Sequence, residues 1–247
     1  MTALSVITAT YNASRHLPRL IESLRAQTDR QFEWVICDGL STDGTAEMIK
    51  GASDIVTDWR SEPDCGIYDA LNKALRMASG EYYLVLGADD RIEPGTIQNY
   101  RNAVETSGAD IVTARVKVNG RVASPRPHSL HWLYAHHAYV SEHAVGSLIR
   151  RSLHNKFGDY ARSYPIGADA LFLKVVCAQP DTRVYCAEFL AGEYGYSGAS
   201  RKDRAGAICD YFRAQLATER YKFLQVLLFV AKVLWNAPSI VRSARLG

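Results

Sequence analysis

The stretch ASGEYYLVLGADD, residues 78–90, guides the interpretation of the whole chain. Its run from Tyr82 to Leu86 is apolar, aromatic and β-branched, which predicts a buried strand. The strand ends in a Gly-Ala turn, and two adjacent acids, Asp89 and Asp90, follow. Because ligands of open α/β sheets bind beyond the carboxyl ends of the strands, we expect a site here.

Two interpretations of this acid pair are open. Two carboxylates suit a hard divalent cation, which prefers oxygen ligands and often shares them with a diphosphate. Alternatively, Asp89 and Asp90 are solvated acids of a turn, and Glu93-Pro94 opens the next helix. The stretch alone does not separate the two.

The rest of the chain alternates between strand and helix patterns. Leu4–Ala9 and Phe32–Cys37 read as strands, with a helix predicted between them at about residues 15–26. Further along, Ile67–Met77 predicts a helix, and Ile111–Val118 alternates apolar with polar residues as an edge or antiparallel strand does. This order indicates βαβ units, and therefore an α/β fold with a mainly parallel central sheet flanked by helices.

Composition limits the classes of function. The 247 residues suffice for one large domain or two small ones, and the net charge of +3 gives no reason to expect nucleic acid as a partner. The N-terminus shows no signal-peptide pattern, so we expect a cytoplasmic protein. The cysteines are odd in number and scattered, which is typical of a reducing compartment: Cys37, Cys65, Cys177, Cys186 and Cys209.

Asp38 ends the second predicted strand and begins the turn DGLSTDGT, residues 38–45. Ser41 or Asp43 can cap the following helix by accepting hydrogen bonds from its exposed backbone N–H groups. A plain helix cap explains these two residues. It does not explain an acid at the strand end, where a ribose or a base could be bound.

The segment EPDCGIYDALNKAL, residues 62–75, places polar side chains at one end of a predicted helix. Those polar side chains are Asp64, Asp69, Asn72 and Lys73. Asp69 and Lys73 are also explained as a surface ion pair one helical turn apart.

Asp169 lies between small residues at the start of a predicted apolar helix, Leu171–Val176. An N-cap aspartate would be a sufficient explanation. The functional alternative is a general base at a helix N-terminus that faces a cleft.

Residues 119–145 are loop-like and rich in histidine. The histidines are His128, His131, His136, His137 and His143. Their spacing matches no zinc-ligand pattern and no cysteine lies near them, so we expect no transition-metal site.

The C-terminal part is cationic and apolar. An amphipathic helix is predicted at residues 205–221, and Phe223–Trp235 is almost wholly apolar. This run is shorter than the roughly 20 residues that a span requires. Trp235 and the flanking cations favour a segment that lies in a membrane interface, and packing on the domain or on a partner is the alternative. The flanking cations are Arg220, Lys222, Arg242 and Arg245.

Taken in order, four motifs resemble the inverting, nucleotide-sugar-dependent glycosyltransferases of family 2: ITATYNA (7–13), CDGLSTDGT (37–45), SEPDCGIYDALNKAL (61–75) and ASGEYYLVLGADD (78–90). The resemblance covers residues 4–100 closely and extends to about residue 200. The most similar subgroup builds bacterial polysaccharides and glycolipids. The resemblance implies a GT-A fold, with a Rossmann-like nucleotide half at about 1–100, an acceptor half at 101–203 and a helical tail at 204–247.

The resemblance also implies a nucleotide site. In it, the ring of Tyr11 would stack on the base, Asp38 would hold the base or ribose, and Asp89 would contact the ribose. Many relatives carry two acids where this chain has Asp38-Gly39. The complete set of implied nucleotide-binding residues is Ala9, Thr10, Tyr11, Asp38, Asp64, Asn72 and Asp89.

For the chemistry, the resemblance implies that Asp90 binds Mn²⁺ or Mg²⁺ on the diphosphate and that Asp169 is the catalytic base. Ser197–Ser200 resembles the family's late GGxS loop, whereas His143–Arg151 matches the family's acceptor-side segment only loosely. Metal and loop donors would neutralise the leaving diphosphate, and Asp169 would take the proton of an acceptor hydroxyl. A single displacement inverts the anomeric carbon.

The implied donor is a nucleoside diphosphate sugar, with UDP as the expected nucleotide, and the acceptor is a saccharide or a lipid-linked saccharide. The tail would place the enzyme on the inner face of the cell membrane. Two alternatives are a nucleotide-sugar-binding module without catalysis and a nucleotidyltransferase. The second requires a Gly- and Arg-rich loop after the first strand, where this chain reads TYNASR.

Overall fold

A computed structural model of the chain describes residues 3–125, 127, 129–141, 143–195, 198 and 202–244. In this part of the chain, the strands are β1 (Leu4–Thr10), β2 (Phe32–Asp38), β3 (Asp58–Ser61), β4 (Tyr82–Val85), β5 (Arg91–Ile92), β6 (Ile111–Val118), β7 (Arg121–Ala123), β8 (Ser147–Arg150) and β9 (Val184–Glu193).

The helices in the same residues are α1 (Leu17–Arg25), α2 (Thr45–Gly51), α3 (Ile67–Met77), α4 (Thr96–Ser107), α5 (His131–Tyr134), α6 (Leu153–Phe157), α7 (Ala168–Cys177), α8 (Arg204–Thr218) and α9 (Lys222–Ala244). Short 3₁₀ turns lie at Ala135–Ala138 and Ala144–Gly146.

The described strands form one sheet in the order β3-β2-β1-β4-β8-β6-β9-β5, and β7 pairs with β6. From β3 to β4 all neighbours are parallel, as the βαβ pattern predicts. The pairings of β8 with β4 and with β6 are antiparallel, whereas β9 runs parallel to β6. The sheet is therefore parallel in its N-terminal half and mixed in its C-terminal half.

Both faces of this sheet are covered by helices. Side chains of β1 alternate, so that Val6 packs into one core with α1, α2 and α4, and Ile7 packs into the other with α3 and α7. Trp34, at the centre of the first core, is fully buried. Burial on both faces explains why the parallel strands are continuous apolar runs.

For Ile111–Val118 the structure confirms the antiparallel alternative, because β6 pairs antiparallel with β7 and β8, and it corrects the edge alternative. This strand is not at an edge, since β6 pairs with β7, β8 and β9. Its polar positions misled the prediction because Thr113 is fully buried and receives a hydrogen bond from the backbone N–H of Ser141, 2.8 Å away. A buried hydroxyl with a partner has the same sequence pattern as a solvent-facing one.

The C-terminal helices are not a detached tail. Helix α8 packs on α7, and α9 packs on α8, where the rings of Phe212 and Phe229 stack with centroids 4.2 Å apart. Residues 222–241 are long and apolar enough to cross a membrane by length and composition, so the length argument against a span, based on Phe223–Trp235 alone, does not hold. The outer face of α9 exposes apolar side chains: Phe223, Val226, Leu227, Val230, Leu234, Trp235 and Val241.

A buried polar network joins α7 to the C-terminal helices. The Lys174 ammonium forms an ion pair with Glu219 (2.6 Å), and both side chains are almost fully buried. Lys174 also donates to the side-chain oxygen of Gln215, and Glu219 lies 2.9 Å from His131 Nδ1. A buried charge without its partner is costly, so this network commits α8 to its place on the body.

This network makes the first prediction. Glu219→Gln keeps the size of the side chain but removes the charge that compensates Lys174, and we expect a loss of about 3 kcal/mol in the free energy of unfolding. Chemical denaturation monitored by circular dichroism measures it. The matched control Glu22→Gln changes an exposed glutamate of α1, and we expect less than about 0.5 kcal/mol. Equal effects of the two variants would contradict the prediction.

Candidate active site

The carboxyl ends of β1, β2 and β4 lie side by side, because β1 pairs in parallel with both neighbours. Thr10 and Asp38 face each other at the ends of β1 and β2. Asp89 and Asp90 follow β4 on the other side of β1. The predicted polar strand ends therefore share one edge of the sheet.

Side chains connect the loops that follow β1 and β2. The backbone N–H of Asn12 donates to the Ser41 hydroxyl (2.8 Å), and the Thr42 N–H donates to the Asn12 side-chain oxygen (2.9 Å). Asn12 has a φ of 48°, a left-handed conformation that asparagine tolerates better than most residues. These contacts hold the loop after β1 against the loop after β2.

Neither Ser41 nor Asp43 is the N-cap of α2, contrary to the simple cap interpretation. Gly44 occupies that position, with a φ of 91° and no side-chain cap. Asp43 accepts instead from the backbone N–H groups of Ser14 (3.0 Å) and Thr45 (3.1 Å). The turn is thus built to hold the neighbouring loop as well as to start a helix.

Asp38 is buried and accepts four hydrogen bonds. They come from the Thr10 hydroxyl (2.8 Å), the Ser61 hydroxyl (2.7 Å), the Ser41 backbone N–H (2.9 Å) and the Ser41 hydroxyl (2.5 Å). Burial acts to raise the pKa of Asp38, but these hydrogen bonds outweigh burial and hold the pKa below its ordinary value. The carboxylate fastens the ends of three strands, and its contact with a nucleotide stays a prediction.

Tyr11 is the accessible member of the predicted base-lining group. Its side chain is 69% exposed, whereas Thr10 is buried and Ala9 is partly buried. Gly39 lies between Tyr11 and Asp64, because a side chain at position 39 would overlap the Asp64 carboxylate and contact the Tyr11 ring. The exposed ring and the half-buried carboxylate of Asp64 therefore flank one glycine-lined surface.

Asn72 has a different place from the one predicted. Its side-chain nitrogen donates to the carbonyl oxygen of Tyr160 (2.9 Å), and its oxygen accepts from the Tyr160 N–H (3.0 Å). The side chain is buried. With both ends bound to one backbone segment, Asn72 positions the loop before α7, and the geometry favours this role over contact with a nucleotide.

Asp90, the predicted metal ligand, is fully buried. One carboxylate oxygen accepts from the Gly87 N–H (2.7 Å) and the other from the Gly195 N–H (2.9 Å). Burial raises the pKa of Asp90, although His143 and the two amides act in the opposite direction. Both oxygens accept hydrogen bonds from the backbone, so Asp90 ties the end of β4 to the segment after β9, and its role as a metal ligand stays a prediction.

Asp89 is the acid of the pair that reaches solvent. A side chain at position 195 would overlap Asp89, so only glycine lets the segment after β9 approach this carboxylate. The predicted contacts of Asp89 with the ribose and of Asp90 with the metal both stay predictions. The structure separates the two acids by burial, because Asp89 is partly exposed and Asp90 is buried.

His143 and Tyr194 form one wall beside these acids. Their ring centroids are 4.1 Å apart, and His143 Nδ1 lies 4.0 Å from an Asp90 oxygen. The same Nδ1 accepts from the Val145 N–H (3.3 Å), so it does not donate to Asp90. His143 also begins the segment that loosely matches the family's acceptor-side pattern, but its contacts with Tyr194 and Asp90 join distant parts of the chain that spacing analysis could not connect.

Asp169 is not an N-cap. Gly167 is the N-cap of α7, and Asp169 lies in the first turn of that helix. Its Oδ1 accepts from the Tyr68 hydroxyl (2.6 Å) and from the Ala170 N–H (2.8 Å). Among the described residues, Oδ2 has no hydrogen-bond or ion-pair partner, and the side chain is partly exposed. One oxygen is held, and the other is available to accept a proton.

Tyr68 keeps Asp169 in place as a protonated phenol. Burial, and next the charge of Asp169, raise the pKa of Tyr68 well above its ordinary value. Its hydroxyl also lies 2.7 Å from the Ile166 carbonyl oxygen, so two acceptors share one proton. Tyr68 belongs to the quoted GIYDA motif, but its partner lies 101 residues away, so the motif did not reveal the contact.

Asp210 on α8 is a further positioning residue. Its carboxylate accepts from the backbone N–H groups of Ile166 (2.9 Å) and Gly167 (3.2 Å), the exposed donors where α7 begins. Arg213 pairs with Asp210 (3.1 Å) and donates to the Ser163 carbonyl oxygen (2.7 Å). The helix assigned to the tail thus holds the start of the helix that carries Asp169.

Aromatic rings link the acid pair to Asp169. Tyr211 of α8 packs against Gly167, and the charge of Asp169 is one of the influences that raise the pKa of Tyr211. Burial is the largest cause of that shift, and Tyr194 contributes as well. Tyr211 thus packs beside the start of the helix that carries Asp169, and Tyr194 packs on His143 next to Asp90. The described residues contain no cluster of three or more metal-ligating side chains.

A half-parallel, half-mixed sheet with acids at its carboxyl edge is the architecture of GT-A glycosyltransferases. The TarS protein of Staphylococcus aureus in complex with UDP-GlcNAc matches it with a TM-score of 0.65 and 17% identity over 98% of this chain and 79% of that one. The mannosyltransferase PcManGT from Pyrobaculum calidifontis, in complex with GDP-Man and Mn²⁺, matches with a TM-score of 0.67 and 20% identity over 97% of this chain and 73% of that one.

The sequence comparison assigns the family. The family model for glycosyl transferase family 2 matches residues 5–179. An uncharacterised glycosyltransferase of Mycobacterium tuberculosis is 32% identical over 195 residues, which are 75% of this chain and 74% of the relative. The chain belongs to glycosyl transferase family 2, and it is an enzyme of glycosyl transfer. Of the predicted late loop, Ser197, Ala199 and Ser200 lie outside the described residues, as does His128 of the histidine-rich segment.

The different burial of Asp89 and Asp90 makes the second prediction. In Asp90→Asn the side-chain amide must turn one N–H group toward the Gly87 or Gly195 N–H, and we expect a loss of about 1–3 kcal/mol in the free energy of unfolding. In Asp89→Asn we expect less than about 0.5 kcal/mol. Thermal and chemical unfolding measure both.

Binding of UDP completes this comparison. With Mn²⁺ present, we expect Asp89→Asn to weaken UDP binding by at least about tenfold, as loss of a metal contact does. The Mn²⁺-dependent part of UDP affinity, measured by calorimetry with and without the ion, is the decisive quantity. If Asp90→Asn abolishes it at unchanged stability, Asp90 is the ligand after all.

Proposed function

We propose that this enzyme moves a sugar, with inversion and with the help of Mn²⁺ or Mg²⁺, from a UDP-sugar to a hydroxyl of a saccharide or lipid-linked acceptor during polysaccharide or glycolipid synthesis. The observation that carries the proposal is the geometry of Asp169, with one oxygen held by Tyr68 and the other directed to no described residue. This is what a general base requires.

The donor side is supported by the surface around Gly39. An exposed aromatic ring, Tyr11, offers a stacking face, and Asp64 offers an acceptor beside it. UDP as the nucleotide is supported by the TarS structures in complex with UDP and with UDP-GlcNAc, while the GDP-Man complex of PcManGT shows that this fold also accepts guanine. A screen of several nucleotide sugars against wild-type protein, with product detected by mass spectrometry, tests the donor.

The residues present fit a divalent cation that is completed by substrate. Mg²⁺ and Mn²⁺ sites of this kind use one or two carboxylates together with phosphate oxygens, and Asp89 is the accessible carboxylate at the strand end. The Gly195 backbone lies directly against the Asp89 carboxylate, where a larger residue would not fit. When bound, the cation neutralises charge on the leaving diphosphate. The Mn²⁺ in the PcManGT complex supports this assignment.

The protein's own groups account for the remaining steps. Tyr68 and Ala170 orient Asp169, so that Oδ2 can accept the proton of the acceptor hydroxyl as that oxygen attacks the anomeric carbon. Attack from the face opposite the diphosphate inverts the configuration. No second carboxylate is needed as a nucleophile, in contrast to retaining glycoside hydrolases.

Two alternatives have less support. A module that only binds nucleotide sugars would not need the oriented carboxylate of Asp169. A nucleotidyltransferase would need a Gly- and Arg-rich loop after β1, whereas that loop contains Tyr11 and Asn12 and is fastened by Ser41 and Thr42.

Asp169 makes the third prediction. Asp169→Asn keeps the size of the side chain and an oxygen for Tyr68, but it cannot accept the proton. We expect transfer to slow by about 10² to 10⁴, with donor affinity and the free energy of unfolding nearly unchanged. Single-turnover transfer and calorimetric donor binding measure the two effects. Normal turnover of this variant would assign Asp169 a structural role only.

The membrane part of the proposal rests on the two-sided character of α9. Its inner side packs on α8, and its outer side exposes a row of apolar side chains flanked by Arg220 and Lys222. Such a helix suits the interface of an anionic bilayer, where each nearby cation adds about 1 kcal/mol. The enzyme would then lie on the cytoplasmic face of the cell membrane, next to a lipid-linked acceptor.

Substitution of the outer face gives the fourth prediction. We expect the combined variant Phe223→Ser, Leu227→Ser, Leu234→Ser, Trp235→Ser to leave anionic vesicles in a sedimentation assay while donor hydrolysis persists. Deletion of the helix is a poorer test, because Gln225 and Phe229 contact the body. The control Met48→Ser, Val122→Ser changes exposed apolar residues elsewhere. If the fourfold variant sediments as the wild type does, the outer face packs on protein instead.

A further inference from the structure

A half-open cavity of about 160 Å³ lies between the residue 133–137 segment, α8 and α9. Much of its wall is apolar and comes from Ile208, Phe212, Leu228 and Phe229. This cavity is distinct from the predicted nucleotide surface, since none of the residues around Tyr11 and Asp89 lines it.

Polar groups that lack partners also line this apolar cavity. Among the described residues, Lys232 has no acid within ion-pair distance. His136 is more than nine-tenths buried, and its Nδ1 has no hydrogen-bond partner. Nδ1 of the neighbouring His137 also has no hydrogen-bond partner. The ring centroids of the two histidines are 3.9 Å apart. The Nδ1 atom of His136 is a buried polar atom without a partner among the described residues, and because such atoms normally have partners it calls for a ligand. Lys232 is exposed and adds its charge to the lining of the cavity.

The charge of the cavity selects the sign of that ligand. Burial, and next the proximity of other cationic or ionisable groups including Lys232 and Lys174, lower the pKa of His136 well below its ordinary value. Burial and Lys232 lower the pKa of His137 to about 4. Both imidazoles are thus neutral at pH 7, and each can donate an N–H. Lys174 is already compensated by Glu219, so Lys232 leaves one positive charge for an anion.

The cavity adjoins the base through one shared side chain. The Tyr211 ring lines the cavity, with Lys232 Nζ 5.5 Å and the His136 ring 5.7 Å from its centroid. The same ring packs on Gly167, two residues before Asp169. A ligand in the cavity therefore lies on the acceptor side of the cleft, behind Tyr211.

The cavity also adjoins the exposed face of α9. Leu228, Phe229 and Lys232 line the cavity, while Leu227 and Val230 of the same turns are exposed on the outer side. A ligand with an apolar chain can therefore extend from the cavity along the surface that we assign to the membrane. An inorganic anion would leave the apolar wall unused.

We propose that this cavity binds the phosphate end of a lipid acceptor, with the phosphate at Lys232 and His136 and the first carbons of the chain against Leu228 and Phe229. This assignment rests on the proposed function, because it names the acceptor of the same enzyme. An alkyl phosphate is the smallest probe that carries both chemical features.

Calorimetric titration with octyl phosphate, octanol and inorganic phosphate tests the proposal on the full chain. We expect octyl phosphate to bind at least about tenfold more tightly than either of the others, because only it uses the ion pair and the apolar wall together. Lys232→Met loses at least about tenfold of that affinity, and Lys232→Arg regains most of it. The control Lys50→Met removes the same charge from an exposed position on α2, outside the cavity, and it binds as the wild type does.

Each outcome decides the matter. Equal affinity for octanol and octyl phosphate, or undiminished binding to a folded Lys232→Met, overturns the anion site. A concentration-dependent dimer that does not bind octyl phosphate assigns the cavity to a second copy of the chain. Donor turnover is measured separately on wild-type protein. If octyl phosphate binds and no nucleotide sugar is turned over, the assignment of the cavity is retained and the proposed function is rejected. If a nucleotide sugar is turned over and octyl phosphate does not bind, only the assignment of the cavity is rejected.

Discussion

The hydrogen bonds of one buried carboxylate join the turn after β4 to the segment after β9, at one edge of the sheet that the described strands form. Asp90 follows the last parallel strand of the nucleotide half and accepts N–H groups from its own turn and from Gly195, which follows the last strand of the acceptor half. The acid has no contact with solvent, so these bonds are not weakened by competition with water. Asp89, the neighbouring residue in the chain, is aimed into the cleft as a result. Asp90 therefore stabilises the fold at this edge, and Asp89 is the acid of the pair that we propose for the chemistry.

The nucleotide half was largely readable from sequence. Local patterns located β1, β2, α3 and β4, because continuous apolar runs and amphipathic spacing are properties of neighbouring residues. Parallel pairing then brought Thr10, Asp38 and the acid pair to one edge, as expected. The distinction between Asp89 and Asp90 was not readable, since it depends on an amide 105 residues away.

The acceptor half resisted prediction for a related reason. Asp210 and Tyr68 act on the segment around Asp169 from distant helices, and nothing in the spacing of α8 marks one aspartate as a partner for two backbone amides. Asn72 misled in the opposite direction. It sits in a motif with implied nucleotide contacts, yet its amide fits the Tyr160 backbone so well that it closes a loop instead. Long-range polar contacts determine these roles, and sequence spacing does not encode them.

The contact between Asp210 and the start of α7 sets the distance between Asp169 and helix α9. Helix α8 is a rigid connection between the carboxylate that steadies the base and the first residues of α9. Helix α8 lies alongside α9, since Arg204 bonds to Asn236 (3.1 Å) and Phe212 stacks on Phe229, so the two axes are separated by one helix-packing distance of about 8–10 Å. With α9 resting on a bilayer, the base would stand at a set height above the lipid surface. Hydroxyl groups at that height are then within reach, and identical hydroxyl groups nearer to or farther from the membrane are not. Position along a growing glycan would be selected by distance rather than by recognition of the sugar itself.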